Sequence, residues 1–488
     1  VRFSKIVLTE NLGFTDAVET QLSTISLTEN LGITDDIAVE KLVANIDHTF
    51  VEVTTPVSSN STSYVNITGA RIDSTNFTPD DRYLLVFTAL LNGDDVNGNF
   101  GIRATNGDTS FAGSEMIIEP NSASSYYTYT WFTVWDAISD TDINLQFKTL
   151  SGADTVTADQ LTLFAMNLDD GLGENSDWFF VNNTSSTSIT GTNSWSTTNN
   201  AAVTFTPTTA GDQWLVMTTS QIDPDDAAAN WQSRLHRTGE STSTSPSFSQ
   251  EAEDTTNDKM VLTNMRVFTL GAASNTFTEQ SSKDGGTTTG GTRDHSGIFV
   301  LNLDVFRNPV SAYTEAGIAL SATDYATQVQ TLSITPDFTG NVWVMGSIAS
   351  DMEATSRYTK ARLQVDNVDQ VPTQTSDSYQ QASSWDITDE IPLQFQTVEL
   401  LTTSLHDIDI DASTESTTST PTAEDRSLFA VSLILERQRV SLSENLGLID
   451  VIDPKIEIIA LTENLGITDA ANAQFGTIIL TENLGITD

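Results

Sequence analysis

A segment that runs through Thr-Pro into an apolar stretch occurs three times at nearly constant spacing. It reads Phe77-Thr-Pro79-Asp-Asp-Arg-Tyr-Leu-Leu-Val-Phe87, then Phe205-Thr-Pro207-Thr-Thr-Ala-Gly-Asp-Gln-Trp-Leu-Val-Met217, then Ile334-Thr-Pro336-Asp-Phe-Thr-Gly-Asn-Val-Trp-Val-Met345. The prolines are 128 and 129 residues apart. A second landmark keeps step: Leu163-Phe-Ala-Met-Asn-Leu168, Ile298-Phe-Val-Leu-Asn-Leu303 and Leu428-Phe-Ala-Val-Ser-Leu433, with their phenylalanines 135 and 130 apart. Between the landmarks each copy has an acidic loop and a strand with one arginine, Arg103, Arg234 or Arg362. Two landmarks at one spacing imply a triplicated domain, so the fold must be one that a chain can repeat in tandem.

Within a copy, short alternating apolar runs are separated by turn residues at strand-like intervals. Ser, Thr and Asn fill the space left by a charged fraction of only 18%, which is strand-and-turn chemistry. In the first copy strands are expected near 48–54, 62–72, 82–91, 99–105, 115–119, 125–136, 142–149 and 160–168. Eight antiparallel strands fit a jelly-roll sandwich. The expected class is all-β: three tandem jelly-roll-like β-sandwiches flanked by short repeat arrays. The expected boundaries are 1–45, 46–170, 171–307, 308–437 and 438–488. In each copy the proline should open a central strand, with Tyr83/Leu85, Trp214/Val216 and Trp343/Met345 near the core.

The Phe-Thr-Pro and Gly-x-x-Trp-Leu-Val opening, the arginine strand and the closing Leu-Phe-Ala-Val-x-Leu strand resemble the C1q/TNF-like jelly-roll superfamily. That resemblance spans about 390 residues and implies modules of extracellular or virion surfaces, which commonly pack as trimers. Three copies in one chain are expected to pack together, although the short linkers 169–176 and 306–311 equally suit a rod.

The flanks carry a different repeat. Leu8-Thr-Glu-Asn-Leu-Gly-Phe-Thr-Asp16 recurs as Leu27–Asp35, Leu442–Asp450, Leu461–Asp469 and Leu480–Asp488, with a period of 19 within each flank. Fixed offsets of Leu, Leu and Ile point to stacked supersecondary units; the competing reading is a recently duplicated spacer. Thr9 is placed to cap a helical turn ended by Gly13. The nonapeptide resembles tandem repeats of large secreted proteins of marine ammonia-oxidising archaea and their viruses. Two or three such units cannot bury their own apolar faces. Leu8, Leu12, Leu27, Leu31, Leu442, Leu446, Leu461, Leu465, Leu480 and Leu484 are therefore the expected assembly residues, with the three-repeat array of one molecule stacking on the two-repeat array of the next. The sequence stops at Asp488 on a repeat motif, so a longer array or a neighbour is expected to complete the stack.

Charge narrows the partners. Twenty-one basic against 66 acidic residues leave a net charge of −45, which repels phosphate backbones and anionic lipid. Nucleic acid is excluded, and so is direct membrane insertion: the longest apolar runs, Tyr83–Leu91 and Leu428–Leu435, are strand-sized. With no cysteine, thiol chemistry, disulfides and thiolate metal sites are absent. The histidines (His48, His236, His295, His406) lie far apart in sequence and lack metal-ligand spacing, and no nucleophile elbow or phosphate loop occurs. Gly285–Gly291 reads as a loop. No carboxylate pair recurs at matching positions in all three copies, which argues against a glycosidase. No enzyme activity and no required cofactor are expected.

Calcium is the one ion the acidic loops suit. Asp407, Asp409 and Asp411 share one face of a strand, while Asp94, Asp95 and Asn97, and Asp223, Asp225 and Asp226, follow the proline-marked strand in two copies. The competing reading is a set of solubilising hairpin loops, and Phe100 stands where an EF-hand needs glycine. Glycosylation sequons begin at Asn60, Asn66, Asn76, Asn182 and Asn183. Trp131, Trp135, Trp178 and Trp195 suit either sugar stacking or a core. The leading functional expectation is a structural extracellular protein, a subunit of an archaeal cell-surface filament, sheath or surface layer that polymerises head to tail through its repeats. The alternatives are a viral fibre or receptor-binding adhesin on the virion surface, and a carbohydrate-binding surface protein with surface glycans as partners.

Overall fold

The computed structural model describes all residues except 1–6, 11–15, 20–25, 30–34, 96–97, 119–125, 139–140, 190–194, 197–199, 225–228, 241–246, 252–257, 286–290, 321–324, 326, 352–356, 371–378, 383–389, 415–420, 445–449, 453–457, 464–468, 472–476 and 483–488. The described chain is nearly all strand, with short 3-10 turns such as Ser74–Asn76 and Leu303–Val305. It divides into two compact units, Asp47–Leu433 and the two flanks Val1–Ile46 with Ile434–Asp488. The division falls inside one strand, Thr422–Glu444.

Asp47–Leu433 contains three eight-stranded jelly rolls. The first uses His48–Val53, Val65–Ile72, Arg82–Gly93, Phe100–Asn106, Met116–Ile118, Tyr126–Asp136, Ile143–Thr149 and Val156–Asn167, close to the strands expected from its sequence. The second uses Trp178–Asn183, Ala202–Phe205, Asp212–Asp223, Ala229–Arg237, Ser247–Glu251, Met260–Leu270, Asn275–Gly285 and Thr292–Asn302. The third uses Phe306–Thr314, Thr327–Ile334, Gly340–Asp351, Arg357–Val365, Tyr379–Ala382, Glu390–Leu401, His406–Thr414 and Thr422–Glu444. Counting strands one to eight within each copy, one sheet is ordered 1-8-3-6 and the other 2-7-4-5 in all three. That interleaving is jelly-roll topology.

Each proline stands in the loop before the third strand, where a missing N–H costs no ladder bond. The third strand of the first copy packs Tyr83, Leu85 and Phe87 into its sandwich with Ile102, Leu145 and Leu163. In the second copy Trp214 and Val216 do the same. The third copy departs from expectation: Val342 and Val344 enter the core, and Trp343 and Met345 point to the opposite face. The reason is register. Phe299 faces Met217 and Phe429 faces Met345 across the ladder, so the two Val-Met pairs are equivalent. Trp-Leu-Val-Met has become Trp-Val-Met, and one residue fewer turns the tryptophan over.

The outward side of the 1-8-3-6 sheet is buried as well, because the three jelly rolls pack together through it. Leu84, Val86, Phe164, Met217, Phe299, Trp343, Met345 and Phe429 lie there and are fully buried. Phe164 of the first copy stacks on Trp343 of the third with ring centroids 4.6 Å apart. Gln396 donates to the Val86 carbonyl at 3.1 Å. Thr263 Oγ1 donates to the Thr130 carbonyl, and Gln394 Nε2 donates to the Thr263 carbonyl. Thr130, Thr263 and Gln394 face Thr88, Thr219 and Ser347, so they hold the same position in their respective copies. A pseudo-threefold axis therefore runs beside them. Between the first and second copies, Ile117 and Lys259 exchange both backbone hydrogen bonds, at 2.9 and 2.8 Å.

The flanks form the other unit, in which strands of successive 19-residue repeats pair in parallel. Strand Val7–Glu10 lies parallel to Ser26–Glu29 with Leu8 opposite Leu27, and Asp16–Glu19 lies parallel to the start of Asp35–Asn45. In the other flank Leu442 faces Leu461, which faces Leu480, and Asp450–Ile452 pairs with Asp469–Ala471. The flanks join each other: Asp35–Asn45 runs antiparallel to the end of Thr422–Glu444, from Asn45 opposite Ile434 to Asp35 opposite Glu444. The turn expected at Thr9–Gly13, with Leu12, Leu31, Leu446, Leu465 and Leu484, lies outside the described residues.

Candidate functional site

The most regular polar feature is a cluster repeated on the outward face of the 2-7-4-5 sheet in each jelly roll. The fourth strand places its arginine directly across from a seventh-strand acceptor: Arg103 opposite Gln146, Arg234 opposite Gln280, Arg362 opposite Asp411. Each guanidinium donates through Nε and Nη2 to a single oxygen, at 2.9 and 2.8 Å in the first copy, 2.8 and 2.6 Å in the second, 3.1 and 2.9 Å in the third. An aromatic ring from the segment before the second strand stacks on each guanidinium: Tyr64 at 4.0 Å, Trp195 at 4.1 Å and Tyr325 at 4.8 Å. Such cation–π pairs contribute about 0.5–2 kcal/mol, more when desolvated. The arginines were legible as a recurring type; the aromatics and acceptors were not, because they sit far from the arginines in sequence and become neighbours only through strand pairing.

The copies differ in charge. Arg362 also meets Asp369 through Nη1 at 3.2 Å, so two carboxylates flank it. Burial works to raise the Asp411 carboxyl against the pull of Arg362 and leaves it above its usual range. Arg103 and Arg234 have neutral amide acceptors. Burial lowers the Arg234 guanidinium to about 10, because desolvation disfavours the charged form. Around Tyr64 the hydroxyl donates to Glu115 at 2.8 Å, and Lys259 pairs with the same carboxylate at 3.0 Å across the first and second copies. Burial raises the Glu115 carboxyl, but the bonds from Tyr64 and Lys259, with the charges of Lys259 and Lys148, hold it below its usual value.

The expected calcium ligands do not converge among the described residues, where no three carboxylates or histidines form a cation cage. Asp407, Asp409 and Asp411 do share a strand face, but each is engaged separately, by Ser333, Gln328 and Arg362. Asp94 accepts from the Thr155 amide, and Asp223 ends its strand. Asn97, Asp225 and Asp226 lie outside the described residues. Sequon residues Asn60, Asn66, Asn76 and Asn182 are exposed, and Asn183 is half-buried and accepts from the Ser185 amide. Trp131, Trp135 and Trp178 are buried in the jelly rolls, and Trp195 is committed to Arg234, so none presents a bare ring to a sugar.

Two buried ionisable features were not foreseen. Inside the second jelly roll Glu279 and Arg293 pair at 3.2 Å with exposures of 0% and 1%, and Ser233 and Ser281 donate to the same carboxylate. Burial raises the Glu279 carboxyl, with Arg293 opposing it. His295, against the first jelly roll, is 3% exposed and neither ring nitrogen has a partner among the described residues. Gly113, at φ +77°, lets the first copy press onto this ring: a Cβ there would lie 2.1 Å from the imidazole. Burial, then the Arg293 charge, lowers His295 to about 4. The other histidines are unrelated to it: His48 meets Asn341 and His406 meets Asp366, while His236 lies half-buried in the fourth strand of the second copy.

No family model and no curated protein matches the chain. Among solved structures it aligns with a peptide-N4-(N-acetyl-β-D-glucosaminyl) asparagine amidase at 11% identity and a TM-score of 0.27, over 54% of this chain and 99% of that one. It also aligns with a triple jelly-roll turret protein of an archaeal virus, at 12% identity and 0.18, over 79% and 91%. A third alignment is with the STIV MCP, at 11% and 0.20, over 53% and 96%. Overlaps this loose establish no shared activity; the jelly-roll assignment stands on the strand order itself.

Proposed function

We propose that the chain is a structural extracellular protein, a subunit of a cell-surface filament, sheath or surface layer that associates with itself through its 19-residue repeats. The observation that carries this reading is the in-register stacking of one repeat on the next, seen alike in Leu8 opposite Leu27 and Leu461 opposite Leu480. A strand that stacks on its own sequence within a chain offers the same edge to another copy. The antiparallel joint between Asp35–Asn45 and 434–444 changes the expected contact. One side of each array is used within the chain, so the proposed stack sets Thr477–Glu482 of one molecule beside Val7–Glu10 of the next, with Leu480 opposite Leu8. Such a contact is heterologous and propagates as an open filament unless its rotation closes a ring. In this reading the jelly rolls, bounded near Asp170 and Arg307 and akin to C1q/TNF-like modules, are displayed along the filament. Calcium or a high salt concentration screens the charge of −45 during assembly.

Deletion of 456–488 tests it. In 0.5 M NaCl the full chain should form filaments by electron microscopy, and the truncated chain should remain monomeric by light scattering with its jelly rolls folded. Polymerisation of the truncated chain overturns the reading.

A further inference from the structure

The three arginine clusters serve as controls for one another. In the third copy the guanidinium is closed on both sides by carboxylates, Asp411 on Nε and Nη2 and Asp369 on Nη1. In the first and second copies Gln146 and Gln280 replace the first carboxylate, and among the described residues no side chain stands at Nη1 where Asp369 stands in the third. The geometry is otherwise shared: the same strand position, the same two N–H donors to one oxygen, the same stacked ring. Arg103 is half-exposed, while Arg234 is 4% exposed beneath the half-buried Trp195. A buried guanidinium without a counter-charge is costly, yet the position is kept in a chain with only 21 basic residues.

We infer that Nη1 of Arg103 and of Arg234 each binds an oxyanion, a carboxylate or sulfate of the kind that acidic polysaccharides carry, and that Asp369 fills the equivalent place in the third copy. A guanidinium matches such a group in both charge and planar hydrogen bonding. The ring of Tyr64 or Trp195 holds the cation in place, so little ordering accompanies binding. At the second site the anion enters past Trp195, which makes the indole a reporter. The site belongs to Asp47–Leu433 and does not depend on the repeats, so it stands or falls separately from the assembly reading.

The test is calorimetric titration of the full chain with tetragalacturonate, with sodium sulfate and with neutral maltotetraose. Two sites per chain are expected for the acidic probes and none for maltotetraose, with quenching of Trp195 fluorescence that is absent in Trp195→Phe. Tighter binding of tetragalacturonate than of sulfate identifies a polysaccharide; equal affinity identifies a single free oxyanion. Gln146→Glu and Gln280→Glu keep both arginines and supply the missing carboxylate, as Asp411 does. Each should raise the melting temperature and remove one site, with at least about a tenfold loss of affinity there. Asp369→Asn combined with Asp411→Gln, which together reproduce the first two clusters, should add a third site. Absence of binding to both acidic probes at millimolar concentration, or two sites retained in the Gln146→Glu/Gln280→Glu double variant, overturns the inference.

Discussion

Thr263 hydrogen-bonds through its hydroxyl to the carbonyl of Thr130 at 2.7 Å, and the two residues hold the same position in consecutive jelly rolls. In a homotrimer three identical side chains would meet on such an axis and would have to satisfy one another by symmetry. Here the third position is Gln394, whose amide reaches back to the Thr263 carbonyl. Covalent linkage has released the three positions to differ, and the polar contacts on the axis are asymmetric as a result.

Trp343 should be the most sensitive position in the packing between copies. It stacks on Phe164 and meets Phe429 edge-on at 4.9 Å. Trp343→Ala should cost about 3–5 kcal/mol by urea denaturation. Combined with Phe164→Ala the loss should be less than additive, by about 0.5–1.5 kcal/mol. Full additivity would show that the stack contributes nothing beyond burial.

Acidification should loosen the contact at His295. Its folded value of about 4 lies below an unfolded value near 6.5, so the neutral ring favours the folded state. That contribution is whole above pH 6.5 and declines as pH falls from there towards 4, reaching about 3 kcal/mol of loss below both values. His295→Leu should flatten the fall in melting temperature between pH 6.5 and 4. An unchanged slope would mean that carboxylates alone carry the acid sensitivity.

The Glu279–Arg293 pair should behave as a buried pair does when halved. Arg293→Met leaves a carboxylate inside the second jelly roll and should destabilise by about 3–5 kcal/mol, whereas Arg293→Met with Glu279→Leu should recover most of that loss. Chemical denaturation of both variants checks it, and a double variant no better than the single one would count against the pairing.

The unit formed by the flanks should melt separately from the jelly rolls. Strand Ile458–Glu463 is paired on both sides, so Ile459→Pro disrupts its ladder. Calorimetry should show two transitions in the native chain, with the variant losing or lowering one of them. A single cooperative transition in both proteins would refute this independence.

Salt should favour the unit formed by the flanks more than the jelly rolls. In-register stacking sets Glu444, Glu463 and Glu482 in one column, and Glu10 opposite Glu29; facing like charges are destabilising. Raising NaCl from 10 to 500 mM should raise the transition of the flanks by several degrees through screening. Calcium at equal ionic strength should add to this only if it binds, and a melt unaltered by EDTA would exclude calcium as a ligand.

Jelly-roll strand positions were legible because alternation and turn residues act locally: the eight strands expected around Pro79 fall within a few residues of those observed. Packing between copies was also written in the sequence. Tyr83–Leu91 and Leu428–Leu435 are apolar at nearly every position, which in a strand means that both faces are covered. The turned-over Trp343 was not legible, since its spacing from Pro336 equals that of Trp214 from Pro207 and only cross-strand pairing reveals the register. The arginine clusters were half legible. Their cations recur, while rings and acceptors come from other strands.

In the proposed filament, tension passed along the repeats would meet the joint between the flanks. A pull applied through the repeats would reach strand Asp35–Asn45 at Asp35 and its partner at Glu444; these two residues sit side by side at one end of the antiparallel pair. Loaded there, the joint peels open one hydrogen bond at a time instead of shearing as a block. Force-extension traces between attachment points at residues 29 and 463 should therefore show an early, low-force lengthening that reseals on relaxation. The joint would act as a shock absorber, yielding before the jelly rolls are stretched.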